Sequence, residues 1–304
     1  MADSQNAPGQ PGGGGNALEG VRLSFVGVGV MAEAMIAGLL SRGLVVPSQV
    51  AGSHPRANRR EELSERYGIA VFESNREAAS FARAGGTDTD GAGGVQARGG
   101  IVILSVKPQK LVGVLRELKD SVSAEALVVS VVAGARIETI AGELLHPSVV
   151  RVMPNTPAQV GEGMTVWTVT PQVSDEQAAQ VRAMLGALGR EMRVDEERQI
   201  DMATALSATG PTYVFLVMEA LIDAGVHMGF SREVARELVI QTMLGSVLFA
   251  RESHKHPAEL RNMVTSPGGT SAEAIYQMEK GSLRTVMSKA VYAAFQRAVA
   301  LGKK

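Results

Sequence analysis

Short apolar runs alternate with amphipathic stretches along the first two thirds of the chain. The amphipathic stretches predict helices at 31–41, 56–67 and 174–188. The apolar runs predict strands at 21–27, 50–52, 101–106, 127–133, 149–153, 164–169 and 191–195. Strands that alternate with helices predict an α/β fold, in which a parallel sheet carries helices on both faces.

The pattern changes near residue 196 and is helical nearly throughout from 199 to 301. We therefore expect two domains, an α/β domain over 21–196 and an all-helical domain over 197–304. The helix predicted at 232–251 carries a broad face of apolar and small side chains. Such a face fits either a domain core or a subunit interface, and the small size of the helical domain favours the interface.

Two glycine-rich segments lie outside this pattern of strands and helices. Residues 1–20 are rich in glycine and proline at 8–15 and are expected to form a disordered tail. Residues 85–100 hold seven glycines directly before a buried strand, where connections usually have two to six residues. We interpret this second segment as a surface insertion with no catalytic role.

The composition narrows the possible functions. A formal net charge of −1 and an aromatic content of 4% argue against a nucleic-acid partner. The chain has no cysteine, which excludes disulfides and thiolate chemistry. No apolar run reaches the length of a membrane span and the first residues lack a secretory signal, so we expect a cytoplasmic protein without a membrane partner. No metal site is expected, because His254 and His256 lie in a polar break before Pro257.

A glycine motif lies at the junction of the first strand and the first helix. Residues Gly27 to Ala32 read Gly-Val-Gly-Val-Met-Ala. Gly27 permits a tight turn, and Gly29 lets the backbone approach a pyrophosphate. Val30 and Met31 open the helix, whose positive end faces the phosphates. Because the motif follows a strand and opens a helix, it predicts a Rossmann-type dinucleotide-binding domain.

The residues after the second strand indicate which dinucleotide binds. An acidic side chain there would hold the ribose hydroxyls of NAD. This chain has Ser53 instead, followed by Arg56, Arg59 and Arg60. A hydroxyl and guanidinium groups suit a ribose 2′-phosphate, so NADP is preferred and NAD stays possible. The alternative is that the arginines only solvate a helix face.

Three apolar runs end in small or polar residues, at 105–109, 132–134 and 153–157. Because ligands of open α/β sheets bind at the carboxyl ends of the strands, these ends are expected to line a nicotinamide pocket. Asn155 is the natural amide for that pocket, or else a turn residue of its Asn-Thr-Pro sequence. Lys107 would reach a phosphate or a ribose hydroxyl, or else anchor the end of its strand.

A segment rich in hydroxyl groups and glycine precedes a helical pattern late in the chain. Residues 264–273 read Val-Thr-Ser-Pro-Gly-Gly-Thr-Ser-Ala-Glu. Their hydroxyls, bare backbone N–H groups and positive helix end predict a site for a small carboxylate. The alternative is a capping box of Thr270 and Glu273, which needs no ligand. Both fit together if Thr270 caps the helix while Ser271 and the backbone around Gly268 face the ligand.

Five motifs together resemble the pyrroline-5-carboxylate reductase family, and the resemblance runs from about residue 21 to residue 300. The motifs lie at 27–32, 105–109, 153–157, 206–213 and 264–271. The resemblance implies a Rossmann-type domain followed by a helical domain that interlocks with a partner subunit, and homodimers that often assemble into decamers. The chain departs from the family pattern at Ala208, where glycine is usual, and at Ser271, where a second threonine is usual.

The resemblance also implies roles for individual residues. It suggests that Asn75 lies near the ribose or phosphate of the cofactor. It suggests a nicotinamide-side lining formed by Ser105, Val106, Lys107, Pro108 and Ala133. It suggests that segment 264–271 of one subunit closes over the substrate beside Asn155. The substrate-binding residues would then be Asn155, Val264, Thr265, Ser266, Gly268 and Gly269, with Thr270 and Ser271 as the catalytic pair.

The implied reaction is the NAD(P)H-dependent reduction of 1-pyrroline-5-carboxylate to L-proline, with hydride passing to the imine carbon. An imine that binds protonated is already electrophilic, so the protein has to position the ring and neutralise the carboxylate. We expect the Ser271 hydroxyl to contact the ring nitrogen, and either to relay its proton or only to orient the imine.

Three other functions stay open at this point. A β-hydroxyacid dehydrogenase has the same two-domain plan, but that chemistry needs a base for the alcohol proton. That family supplies the base with a lysine on the interdomain helix, and this chain has no lysine between Lys119 and Lys255. An imine reductase with a bulkier substrate is a second alternative. A non-catalytic NADP-binding regulator is the third, although two assembled sites favour turnover.

Overall fold

The computed structural model describes residues 15–83 and 99–302. Most of the predicted tail and nearly all of the predicted insertion at 85–100 therefore lie outside the described residues. The last part of the predicted tail was assigned wrongly, because Leu18 is fully buried. The Gln49 side chain donates hydrogen bonds of 2.9 Å to the Leu18 and Val21 carbonyls. These contacts attach residues 16–20 to the domain.

Eight strands in the described part of the chain form one sheet, in the order β3-β2-β1-β4-β5-β6-β7-β8. The strands are β1 Leu23–Val26, β2 Val50–Ser53, β3 Ala70–Phe72, β4 Ile101–Leu104, β5 Leu127–Ser130, β6 Val149–Met153, β7 Gly163–Val169 and β8 Gly189–Arg193. All neighbours pair in parallel except β6 and β7. This arrangement confirms the predicted Rossmann-type α/β fold.

Two details of the sheet differ from the sequence expectation. Strand β3 was missed because it has three residues, none of them buried, and therefore lacks an apolar run. Strand β7 runs antiparallel to β6. The connection between them is a short turn around Thr156–Val160, whereas a parallel return needs a crossover of about a dozen residues or more.

Seven helices of the described chain belong to this part of the fold. They are α1 Val30–Ser41, α2 Ala57–Tyr67, α3 Asn75–Phe81, α4 Leu111–Leu118, α5 Ile137–Leu144, α6 Asp175–Gly186 and α7 Glu197–Ala203. Successive residues of one strand enter different hydrophobic clusters. Ile101 and Ile103 lie in one cluster and Val102 and Leu104 in the other. Because side chains alternate along a strand, both faces of the sheet are covered.

Helix α7 is attached to the sheet by a buried ion pair. The Arg151 side chain on β6 is 2% exposed and lies 2.6 Å from the Asp201 carboxylate on α7. It also lies 2.9 Å from the Glu197 carboxylate, which accepts a hydrogen bond from the first amide of α5. One guanidinium therefore fixes the position of α7 against the sheet.

The chain divides into two compact units. The first unit extends to Thr204 and includes the chain from Ala298 onward, and the second is Ala205–Arg297. The end of the chain joins the first unit because the Arg136 side chain donates a 2.9 Å hydrogen bond to the Gly302 carbonyl. Residues 204–208 form a π-helical turn, so the unit boundary falls within a helical stretch.

The second unit is helical throughout its described residues. It contains α8 Gly210–His227, α9 Arg232–Ser253, α10 Pro257–Met263, α11 Thr270–Lys280 and most of α12 Leu283–Leu301. His256 begins α10 as its N-cap, where its Nδ1 accepts from the Ala258 amide. Many large apolar side chains of this unit are exposed in the single chain, among them Phe215, Leu216, Leu238, Leu244, Val247 and Phe249.

The expectation that no apolar run reaches the length of a membrane span was wrong. The helical stretch Glu197–His227 is long and apolar enough to cross a bilayer by length and composition. One such stretch is weak support for a membrane span, because helices of soluble proteins pass the same test. Few of its side chains are buried within the single chain, which leaves them available to a partner.

Candidate active site

The glycine loop after β1 has the geometry that a pyrophosphate requires. Gly27 has φ +85°, and a Cβ there would lie 2.8 Å from a methyl carbon of Val106. No described atom lies within 4 Å of a Cβ built at Gly29. Gly29 is also the N-cap of α1, and among the described residues no side chain caps this helix. Open backbone and free amides at a helix N-terminus suit the phosphates of a dinucleotide.

Two of the predicted cofactor residues hold this loop in place. The Gly27 amide donates to the Ser53 hydroxyl at 2.9 Å. The Ser105 hydroxyl donates to the Gly27 carbonyl at 2.6 Å. Ser53 is only 1% exposed, so the structure makes it a support of the loop and not a direct phosphate ligand, contrary to the sequence expectation.

The arginines after β2 have different environments. Arg59 forms an ion pair with Glu33, and Arg60 lies 3.0 Å from the Glu73 carboxylate. Arg56 is exposed at the start of α2, and no acceptor in the described chain pairs with its guanidinium. Arg59 and Arg60 therefore serve the surface of α2, as the alternative without a phosphate ligand implies. Arg56 stays available to bind a 2′-phosphate.

His54 lies beside this cation. Its Nδ1 accepts from the Arg56 amide at 3.2 Å. Burial lowers the pKa of His54 below its usual value, and the positive charges of Arg56, Arg59 and Arg60 lower it further. A neutral imidazole therefore faces the start of α2 near neutral pH.

The predicted strand ends lie along one edge of the sheet. Strands β1, β4, β5 and β6 are adjacent and parallel, so Gly27, Ser105, Ala133 and Asn155 follow their carboxyl ends. Pro108 opens a short turn before α4, and Lys107 is exposed. This edge is where open α/β sheets bind their ligands.

Asn155 has a clear local role at this edge. Its Oδ1 accepts a 2.9 Å hydrogen bond from the Met164 amide at the start of β7. The residue also begins the turn Thr156–Val160. The sequence alternative that Asn155 shapes a turn is therefore correct, and its role toward a ligand stays a prediction.

The segment before α11 is not closed by the predicted capping box. Helix α11 begins at Thr270 with Gly269 as its N-cap, and within the described residues no side chain caps it. Thr270 occupies the first helical position, where a hydroxyl no longer serves as the cap. Glu273 instead accepts a 2.9 Å hydrogen bond from the Gln277 side chain. The capping-box prediction was wrong, and the first amides of α11 are left without a side-chain partner.

The hydroxyl groups of this segment divide into two sets. The Thr265 hydroxyl donates to the Arg261 carbonyl at 2.7 Å and so supports the backbone. Neither Thr270 nor Ser271 has a hydrogen-bond partner for its hydroxyl in the part of the chain that is described. Val264 is 67% exposed at the start of the segment. Gly268 has φ +71°, which favours glycine in the turn that precedes these hydroxyls.

Comparisons with known proteins match both parts of the chain. A family profile described as pyrroline-5-carboxylate reductase dimerisation matches residues 197–301. A profile described as NADP oxidoreductase, coenzyme F420-dependent, matches residues 22–84. The pyrroline-5-carboxylate reductase of Pseudomonas aeruginosa is 38% identical over 93% of this chain and 97% of its own length. The chain belongs to the pyrroline-5-carboxylate reductase family.

Other members of the family give the same result. The Synechocystis member is 36% identical, with 93% of this chain and 99% of the relative covered. A solved Plasmodium falciparum pyrroline carboxylate reductase with NADP bound has a TM-score of 0.79 and 30% identity, with 93% of this chain and 98% of that chain covered. The Coxiella burnetii structure also has a TM-score of 0.79, at 33% identity and 93% and 99% coverage.

Family membership explains the exposed apolar surface of the second unit. The dimerisation match includes α7 through α12 and the stretch Glu197–His227. The chain therefore carries a dimerisation domain and forms a homo-oligomer, as expected from the apolar face of α9. Membership also supports NAD(P) as the cofactor.

Sequence reasoning missed two acidic residues near the cofactor loop. Glu33 on α1 accepts from the Tyr67 hydroxyl at 3.0 Å and pairs with Arg59. Glu117 at the end of α4 accepts from the Asn75 side chain at 3.0 Å. No local motif marks either residue, because their partners are 26 or more positions away.

Proposed function

We propose that this protein is an NAD(P)H-dependent reductase that converts 1-pyrroline-5-carboxylate to L-proline. The observation that carries the proposal is the match of nearly the whole chain to reductases of this name, at 32–38% identity for several bacterial relatives. The site geometry supports it. The first unit offers an open phosphate loop, and the second offers free amides and hydroxyls suited to a small carboxylate.

The first unit binds the cofactor in this proposal. The backbone of Gly27 to Met31 holds the pyrophosphate, and Arg56 neutralises the 2′-phosphate of NADPH. The strand ends at 105–108 and 133 form the wall of the nicotinamide pocket. Ser53 and Asn75 contribute through the shape of the loop. When bound, the reduced nicotinamide supplies the hydride.

The second unit binds the substrate. The amides of Gly268, Thr270 and Ser271 hold the carboxylate at the positive end of α11, while the Gly269 amide donates to the Ser266 carbonyl at 3.1 Å. The Ser271 hydroxyl accepts a hydrogen bond from the protonated ring nitrogen and so orients the C=N bond. The further substrate residues that we propose are Val264, Thr265, Ser266 and Thr270 of this unit, together with Asn155, which belongs to the first unit. The hydride forms the new C–H bond, and the π electrons move to the nitrogen, which keeps its proton and becomes a secondary amine.

The loss of NADPH absorbance with pyrroline-5-carboxylate tests this function. We expect turnover by the wild type and a large loss of kcat in Ser271→Ala, while the Kd for NADPH stays unchanged. Ser271→Thr keeps the hydroxyl and should keep most of the activity. Equal turnover by Ser271→Ala would remove Ser271 from the reaction, and no turnover by the folded wild type would reject the proposed function.

Two substrate alternatives can be separated with the same assay. A cyclic imine without a carboxylate should react poorly, because the amides before α11 would have no anion to bind. Good turnover of that compound would indicate a broader imine reductase. Oxidation of a β-hydroxyacid needs a base, and helices α7 and α8 contain no lysine.

We further propose the domain assignment, the assembly and the location. Residues 21–196 form the cofactor domain and 197–304 the substrate and dimerisation domain, with a tail that ends before residue 16 and 85–100 as a surface insertion. Dimers assemble into decamers in the cytoplasm. Sedimentation of the native protein tests the assembly, since a decamer has five times the mass of a dimer, and cell fractionation tests the location.

A further inference from the structure

A chain of hydrogen bonds runs from the end of α4 to the glycine loop. The Asn75 side-chain amide donates to the Glu117 carboxylate at 3.0 Å. The Ser53 hydroxyl donates to the Asn75 side-chain oxygen at 2.8 Å. The Gly27 amide donates to the Ser53 hydroxyl at 2.9 Å. The chain therefore links four segments that are distant in sequence, and it ends at one backbone amide of the loop.

The carboxylate at one end sets the direction of every bond. An ionised carboxylate only accepts, so Asn75 must turn its NH₂ group toward Glu117. Its oxygen then faces Ser53, which uses its single proton to donate to that oxygen. The Ser53 lone pairs are left to accept from the Gly27 amide. Without Glu117, the Asn75 amide is free to flip and this order is lost.

Further contacts hold both ends of the chain in place. The Arg76 side chain donates a 2.8 Å hydrogen bond to the Glu117 carbonyl, which ties the start of α3 to the end of α4. On the other side of the loop, the Ser105 hydroxyl holds the Gly27 carbonyl. Gly27 is thus held at its amide by Ser53 and at its carbonyl by Ser105. The hold on the amide depends on Glu117.

We infer that Glu117 is a positioning residue for cofactor binding, which acts through Asn75 and Ser53 on the Gly27 amide. Within the described chain, no hydrogen bond joins the Glu117 carboxylate to residues 27–31. Its effect is to hold the loop in the conformation in which the amides beyond Gly27 meet the pyrophosphate. The inference rests on the proposed function only in taking NADPH as the ligand of the loop.

Fluorescence titration with NADPH, without substrate, tests the inference. Glu117→Met keeps the length and helix propensity of the side chain but removes the acceptor. We expect its Kd for NADPH to rise about tenfold, the effect of losing one hydrogen bond to a charged group. Glu117→Gln keeps an acceptor for Asn75 and should stay within about threefold of the wild type.

Steady-state kinetics separate positioning from a general structural role. We expect Glu117→Met to raise the KM for NADPH while kcat and the KM for pyrroline-5-carboxylate stay unchanged. Adding Glu117→Met to Asn75→Ala should weaken NADPH binding no further, because the chain is already broken. The matched control is Arg116→Ala, which removes an exposed ion pair with Glu143 from the same helix and should leave NADPH binding unchanged.

The inference is wrong if Glu117→Met binds NADPH as the wild type does, or if Glu117→Gln is as weak as Glu117→Met. Should Glu117→Met fail to fold, Glu117→Ala removes the same acceptor with a shorter side chain and must raise the Kd for NADPH about tenfold. A wild type that binds NADPH but does not reduce pyrroline-5-carboxylate would reject the proposed function alone. The titration of the variants would still decide the role of Glu117.

Discussion

At the scale of single residues, the three arginines after β2 show what a sequence pattern leaves undetermined. Their charge predicts a phosphate site, but the sequence does not say which of them has another partner. Arg59 and Arg60 pair with acidic residues from other elements, whereas Arg56 has no such pair in the part of the chain that the structure describes. The positive charge of this segment could be predicted from its own residues. Which arginine is available to a ligand depends on Glu33 and Glu73, which lie on other elements.

Arg56→Gln should therefore change the choice of cofactor. We expect the KM for NADPH to rise about tenfold or more, because a charge-assisted contact to the 2′-phosphate is lost. The KM for NADH should stay within about twofold, because NADH lacks that phosphate. Arg66→Gln is the matched control on the same helix, since Arg66 already pairs with Glu33. Equal effects on NADPH and NADH would contradict the assignment.

His54 makes a prediction about pH. Burial is the main cause of its lowered pKa in the folded protein, against 6.5 for the free side chain. Between pH 6.5 and the lower pKa of the folded protein, His54 binds a proton in the unfolded chain but not in the folded chain. Its contribution to stability is therefore complete above pH 6.5 and is lost as the pH falls toward the folded pKa. Urea unfolding at about pH 7.5 and about pH 5.5 should show a smaller loss of stability in His54→Gln than in the wild type. Identical losses would show that His54 stays protonatable in the fold.

Ser53 and Thr270 show the same limit for hydroxyl groups. The sequence marks both residues as polar groups in segments that we propose to bind ligands. The Ser53 hydroxyl is held between Asn75 and Gly27, whereas the Thr270 hydroxyl has no hydrogen-bond partner among the described residues. The sequence therefore located the two segments but did not indicate which hydroxyl is already engaged.

At the scale of elements, the glycines of the phosphate loop have separable roles. Gly27→Ala should destabilise the fold, because φ +85° is strained for alanine and its Cβ would meet Val106 at 2.8 Å. We expect a loss of about 1–3 kcal/mol in the free energy of unfolding. Gly29→Ala has open space around it, so its stability should match the wild type while NADPH binding weakens. Thermal melts and NADPH titrations of both variants check this pair, and a stable Gly27→Ala would contradict it.

The strands show which elements a sequence can predict. Strands β1, β2, β4, β5 and β6 are continuous buried runs, and each was found. The edge strand β3 has no buried residue and gave no signal. The reversed direction of β7 follows from a short connection and not from its own residues, which read as a strand in either direction.

At the scale of the whole molecule, the two-part plan was predictable because the hydrophobic period changes near residue 196. The position of the boundary between the two parts was harder to predict. The dimerisation match begins at 197, whereas the first compact unit extends to Thr204 and regains the chain at Ala298. The buried pair of Arg151 and Asp201 holds α7 with the sheet, and no periodicity in the sequence signals such a long-range contact.

The exposed apolar surface of the second unit makes a prediction about assembly. Val247 on α9 is 66% exposed in the single chain. We expect the apolar face of α9 to form the subunit interface, so that the charge of Val247→Glu should dissociate the homo-oligomer. Val46→Glu is the control, because Val46 is 55% exposed on the first unit and should leave the assembly intact. Light scattering after size-exclusion chromatography measures both masses, and an intact oligomer in Val247→Glu would place the interface elsewhere.

The fate of the transferred hydride tests the central claim most directly. The wild type is incubated with pyrroline-5-carboxylate and NADPH that carries deuterium on the reactive nicotinamide carbon, and the product is analysed by mass spectrometry. We expect L-proline with one deuterium on the former imine carbon, formed in equal amount to the NADPH consumed. Consumption of NADPH without deuterated proline, or no consumption by the folded oligomer, would contradict it.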